Sequence, residues 1–111
     1  MENNKKMDKN LIIKLVSGAV ILVSLIIIVV VIFNNSITAS EYNQIEYGMT
    51  YEEVVEIVGC EGEYESGASY GGSSAEMYSF KGVLYHVNGA NAVIYFQDGE
   101  VVSMAQVGLI F

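Results

Sequence analysis

The sequence contains no tryptophan and no proline, one cysteine, one histidine and, beyond Phe33, a single basic residue, Lys81. Most of these scarcities remove a class of function. One cysteine cannot close an internal disulfide. Outside the cytoplasm Cys60 is therefore either a buried, inert thiol or the seat of a bond joining two copies as a homodimer, and nothing cationic beside it in sequence would activate it. His86 is the sole imidazole. A nucleophile–base pair would need it beside a serine or Cys60, and its strand-like flanks, Tyr85 and Val87, suit a structural or exposed ring better, so no catalytic residue is assigned. One His and one Cys build no conventional zinc site without carboxylates from elsewhere. Glu61, Glu63 and Glu65 alternate, but no Asp-rich loop supports calcium and a solvated acidic face is the simpler reading. Gly71-Gly72 lacks the lysine and the strand–loop–helix setting of a phosphate loop. Neither metal nor cofactor is expected, and the chain is read as no enzyme.

Charge is equally lopsided. Residues before Leu15 balance at +2, whereas those after Phe33 balance at −10, giving −8 for 111 residues. An acidic domain argues against nucleic acid and against an anionic membrane surface; it tolerates a basic partner or cations, or serves solubility alone.

What the chain has in abundance is a run of apolar residues, Leu11 to Phe33. From Leu15 to Phe33 it carries no charge, and its only polar side chains are Ser17 and Ser24. At ~1.5 Å per residue a helix of this length reaches roughly 34 Å, enough for a ~30 Å hydrocarbon layer. The β-branched content looks strand-like, but a lone segment in lipid must satisfy its own backbone, which only a helix does. The lysines on its N-terminal flank place residues 1–10 in the cytoplasm and those after Phe33 outside, with Leu11 to Phe33 as the spanning helix, Lys14 snorkelling to the inner interface, and Leu15 to Phe33 its uncharged part, so that Lys14, Leu15 and Phe33 mark the anchor. Ile37-Thr38-Ala39 resembles a signal-peptidase site, yet the run exceeds the ~7–15 residues of a secretory h-region, so an uncleaved signal-anchor is the preferred reading. The mean hydropathy of +0.40 is set by this anchor and does not describe the soluble part.

Residues 34–39 read as a linker and 40–111 as one small α+β domain outside the membrane. Ser40 is the expected N-cap of a helix over Glu41 to Tyr47, stopped by Gly48. Thr50-Tyr51-Glu52-Glu53 is a capping box opening a second helix, with Val54, Ile57 and Val58 at helical spacing and Gly59 as its left-handed stop. Glu63 to Ala68 is a weak strand, Ser66 to Ala75 a small-residue connection and Glu76 to Phe80 a strand. Lys81 to Asn88 is ambiguous, because Val83, Tyr85 and Val87 alternate as an extension of that strand would. Asn91 to Gln97 and Glu100 to Gln106 form the firmest hairpin, across Asp98-Gly99. A two-residue turn pairs Phe96 with Val101, Tyr95 with Val102 and Ile94 with Ser103. One face then carries Ala92, Ile94, Phe96, Val101 and Ala105, and the other Val93, Tyr95, Val102 and Met104. Both are apolar, although the helices need cover only one.

Ile45-Glu46-Tyr47-Gly48-Met49-Thr50-Tyr51-Glu52-Glu53-Val54, followed by Ile57-Val58-Gly59, resembles the helical opening of the beta-lactamase-inhibitor-protein-like superfamily. Its Gly-Met-Thr-x-x-Glu-Val core is similar to outer-membrane relatives of the SmpA/OmlA (BamE) type. Met77 to Gly82, Gly89 to Ala92, Phe96-Gln97 and Val101 to Gln106 resemble a family of small Gram-positive envelope proteins of unknown function. The resemblance spans Tyr42 to Leu109. It implies two helices on one face of a roughly four-stranded antiparallel sheet, and a binding fold instead of an enzyme. The chain departs from that family in having Phe80 where Trp is usual, Cys60 where Gly is usual, and extra residues around Val83 to Asn88.

All eight tyrosines lie between Tyr42 and Tyr95, and tyrosine supplies rigid amphipathic contact area. Tyr78, Val93, Tyr95, Val102 and Met104 are therefore the candidate protein-binding face, for a partner in the cell envelope. The competing reading is an accessory subunit of a membrane complex that acts through the spanning helix itself.

Overall fold

The computed structural model describes residues 8–111, so most of the expected cytoplasmic segment, including Lys5 and Lys6, lies outside the described residues. The chain divides into two compact units between Val31 and Ile32.

Helix α1 covers Lys9–Asn34 and buries none of its side chains. Asp8 opens it, its carboxylate accepting from the Asn10 N–H at 3.2 Å. Among the described residues α1 is the one helix long and apolar enough to cross a membrane.

The second unit is an α+β fold. Helices α2 (Ala39–Gln44) and α3 (Tyr51–Val58) precede a four-stranded antiparallel sheet in the order β1-β2-β3-β4, formed by Glu63–Tyr70, Ser73–Lys81, Asn91–Gln97 and Glu100–Val107. The start of α2 differs from the Ser40 cap. Thr38 is the N-cap, and its hydroxyl accepts from the Glu41 N–H at 3.1 Å while the Glu41 carboxylate accepts from the Thr38 N–H at 2.8 Å. Thr38 has a glutamate three residues on; Ser40 has Asn43 there, so only Thr38 closes the reciprocal pair. At α3 the Thr50 hydroxyl does accept from the Glu53 N–H, at 3.2 Å. The Glu53 carboxylate, however, accepts from that hydroxyl in place of the Thr50 N–H. Gly59, at φ 81°, ends the helix as expected.

Lys81 to Asn88 does not extend β2. It turns at Gly82 and forms a single helical turn, α4 (Tyr85–Asn88), closed by left-handed Gly89. A side chain on Gly82 would lie 2.7 Å from Leu109 and 3.0 Å from Ala90, so the chain reverses where backbone must pass closest to its neighbours. Between β1 and β2 the loop is only Gly71-Gly72, and the serine-rich stretch around it is paired strand.

The core is one cluster: Ile37, Ile45, Val54, Val58, Phe80, Ala92, Ile94, Phe96 and Val101, with Tyr51, Tyr78, Met104 and Leu109 packed at its edge. Ile37 belongs to the stretch read as a linker, yet it is fully buried. Its N–H bonds to the Lys81 carbonyl at 2.9 Å, and it forms a parallel bridge with Gly82. It takes the position beside β2 that β1 leaves vacant beyond the Glu63–Ser79 pair.

At the other end of the sheet Asp98 ties the two hairpins together. It occupies the left-handed region (φ 51°) beside Gly99 (φ 82°), as a type I′ turn requires. Its carboxylate accepts from the Ser73 hydroxyl at 2.9 Å and the Ser74 N–H at 2.8 Å, while its own N–H donates to the Ser74 carbonyl at 2.8 Å. The backbone and hydroxyl donors hold its carboxyl below the ordinary 3.8.

Two predictions follow from these contacts. Ile37→Ala lowers stability by about 2–5 kcal/mol, the usual cost of emptying a buried aliphatic site, whereas a true linker residue would leave the melt unchanged. Asp98→Asn lowers the melting temperature at neutral pH. A depressed carboxyl stabilises fully above its unfolded pKa and stops doing so as the pH falls through its folded value, so the gap between variant and wild type narrows in acid. Thermal melts from pH 7 down to pH 2.5 measure both; a gap that stays constant in acid refutes the Asp98 assignment.

Candidate functional site

The sheet has two unlike faces. Ala92, Ile94 and Phe96 of β3 point to the helices and are sealed from water, so Val93, Tyr95 and Gln97 point away. Pairing carries this alternation to β2. Tyr78 lies opposite Ile94 and Phe80 opposite Ala92 on the inner face, and Met77 opposite Tyr95 and Ser79 opposite Val93 on the outer face.

The five candidate residues therefore do not share one face, which corrects the expected platform. Tyr78 is an inner-face residue. Its ring lies 4.4 Å from that of Tyr51, 5.6 Å from Tyr64 and 5.8 Å from Phe96. Burial, helped by the Glu76 carboxylate, pushes its phenol pKa up. Met104 is also on the inner side, because β4 contains a bulge. Phe96 pairs with Val101 as expected, but Tyr95 pairs with Ser103 and Ile94 with Met104, leaving Val102 as the extra residue. One inserted residue reverses every side chain beyond it. Val93, Tyr95 and Val102 remain away from the core, Tyr95 at 44% and Val102 at 49% exposure.

The outer face has a middle that the sequence reading passed over. Met77, Ala75 and Ala68 join Tyr95 in a shallow, largely apolar groove of about 230 Å³, walled by β1, β2 and β3 alone. The signal was present, since Met77 and Tyr78 are adjacent in one strand and must face opposite ways. Towards the α1 end of the sheet the face turns polar, where Glu63, Glu65, Ser79, Lys81 and Asn91 surround a second depression with Met77 and Val93. Glu65 accepts from the Ser79 hydroxyl there, and the Lys81 ammonium sits 4.8 Å over the Tyr85 ring.

His86 is exposed on α4, with the Tyr85 ring as its aromatic neighbour. Among the described residues no three His, Cys, Asp or Glu side chains converge as a metal site would require. Of the anchor residues, Lys14, Leu15 and Phe33 all lie in α1.

A family model described as "Beta-lactamase inhibitor (BLIP)" matches residues 38–111. The comparison with curated proteins gave no match.

Cys60, just beyond α3, is half-buried against the core. Burial, and after it the Glu41 carboxylate, pushes its thiol pKa up, which leaves less of the reactive thiolate at neutral pH. Alkylation by iodoacetamide at pH 7 is thus expected to run several-fold slower on the folded protein than on the unfolded chain, and to accelerate with rising pH past the ordinary thiol range. Glu41→Gln should raise the folded rate modestly; equal rates for folded and unfolded protein would contradict this placement.

Proposed function

The chain belongs to the beta-lactamase inhibitor (BLIP) family, and from that premise we propose that it is a membrane-anchored, non-catalytic binding module whose outer sheet face engages another protein of the cell envelope. The observation that carries this is the division of the sheet. Its inner face is filled by Val54, Val58 and their neighbours, while Met77, Val93 and Tyr95 on the other face form no part of the core cluster. A domain this small seldom leaves aromatic and aliphatic groups together in water without a partner for them. Tyr95 has the amphipathic character that interface centres favour.

In this reading α1 spans the cytoplasmic membrane once, with its lysine-bearing end inside and the acidic domain outside. The domain limits are residues 1–10 inside, 11–33 in the bilayer and the remainder outside. Retention of the anchor is supported by Ile37 and Thr38. Cleavage after Ala39 would remove a fully buried core side chain and one half of the capping pair at α2. Within the family, the runs Gly48 to Val54 and Met77 to Gly82 favour kinship with the small Gram-positive envelope proteins and with the SmpA/OmlA type. The family's name describes inhibition of a beta-lactamase; here the partner is assigned only as an envelope protein.

Crosslinking and recovery from native membranes test the reading. Met77→Ala/Tyr95→Ala is expected to lose the crosslinked partner with little change in melting temperature, since neither side chain supports the core. Exchange of Leu11 to Phe33 for an unrelated spanning helix should leave that partner in place. A partner that survives the double substitution but not the helix exchange would instead assign the specific contact to α1.

A further inference from the structure

The residues that follow β4 return to the point where the chain leaves α1. Leu109 packs against the core, and a side chain added at Gly82 would meet it at 2.7 Å. The Ile110 carbonyl accepts from the Ala39 N–H at 3.0 Å. Phe111 is thereby held with its ring 5.5 Å from that of Phe33, the last apolar residue of the α1 run, and it remains 71% exposed. Ile110 is half-buried and Val107, at the end of β4, is exposed.

Charge is distributed in the same sense. The domain balances at −10, yet the two stretches that meet here, Asn34 to Ser40 and Val101 to Phe111, contain no charged side chain. The acid nearest this end, Glu41, is half-buried and engaged by the Thr38 N–H at 2.8 Å, while Glu61 and Glu63 line a cleft with Asn35, Cys60 and Lys81. An acidic domain tethered by a short segment is repelled by an anionic leaflet, and the repulsion is least where the surface carries no charge. An exposed phenylalanine ring beside the end of a membrane span suits the boundary between headgroups and acyl chains, where interfacial segments bury Phe, Trp and Leu.

We propose that Phe111, with Val107 and Ile110 beside it, forms a second membrane contact that docks this corner of the domain into the outer-leaflet interface next to the end of α1. The occupant is lipid, at the boundary between headgroups and acyl chains. This rests on α1 spanning the bilayer as read above. It adds that the domain makes a lipid contact of its own besides the anchor.

The absence of native tryptophan makes the test direct, because each substitution yields a single fluorophore. Full-length Phe111→Trp is reconstituted in vesicles of phosphatidylcholine and phosphatidylglycerol, with lipids brominated either near the headgroup end of the acyl chain or near its terminus. Ile26→Trp, at mid-helix, reports the span, and Tyr70→Trp, on the 92%-exposed tip of the β1–β2 hairpin, reports water. The expected result is a blue-shifted Phe111→Trp emission that loses about half its intensity to the shallow bromines and little to the deep ones, as an interfacial indole does. Tyr70→Trp should emit as in water and resist both. Unquenched Phe111→Trp alongside quenched Ile26→Trp overturns the lipid contact while leaving the anchor intact. If that unquenched emission is also blue-shifted, the corner is covered by protein. Unquenched signals from both positions would sink the anchor reading itself.

Discussion

The folded unit depends on one face of β3. Ala92, Ile94 and Phe96 are all sealed from water, and in an interior strand of a four-stranded sheet their burial sets the inward side of both neighbours. Phe80 and Tyr78 must then face inward on β2, and Val101 and Met104 on β4. The helices are short and gain little from propensity alone; α3 holds because Val54 and Val58 find that surface waiting. The Thr38 and Thr50 caps fix where each helix begins, and for α3 the burial of Val54 and Val58 decides that it forms at all.

Much of this was legible in the residues. The α3 boundaries, the Asp98-Gly99 turn and the apolar run of α1 each combine a local stereochemical signal with a pattern of matching period, and the structure contains all three. What escaped were features set by distant partners. Thr38 outcompetes Ser40 as a cap because it has Glu41 at the right spacing, which sequence does show. Ile37 looked like part of a linker because one isoleucine between polar residues has no period; only Lys81 and Gly82, more than forty residues on, make it core. The Val102 bulge misled most. Val101 and Met104 both face the helices although they stand three positions apart, an odd spacing that no regular strand allows. A single extra residue therefore moved Met104 from the candidate face to the core, and Tyr78 followed from the β2–β3 register, which sequence does not reveal.

With the faces reassigned, the division of labour within the domain is sharper. Tyrosine serves both sides in different ways. Tyr51, tilted at 33°, and Tyr64, edge-on at 75°, both pack on the Tyr78 ring beside the core, where the Tyr51 hydroxyl accepts from the Gly62 N–H at 3.1 Å. Tyr95 stands apart on the outer face with Met77, in a setting that can gain or lose a partner without disturbing the fold. Asp98 uses its charge structurally to join two hairpin tips that would otherwise meet through backbone alone.

The way the chain enters the domain also has a mechanical side. Tension along α1 arrives first at Ser36 to Ala39, a segment bonded to β2 through Ile37 and Lys81, to the C-terminal residues through Ala39 and Ile110, and to α2 through Thr38 with Glu41 and Tyr42, with Ile37 seated in the core. Stretching would load the Ile37 socket first, and the four residues, fully extended, would span at most roughly 14 Å at ~3.5 Å each. A pull from the anchor would thus meet Ile37 and Thr38 before it reached the middle of the strands that carry the outer face.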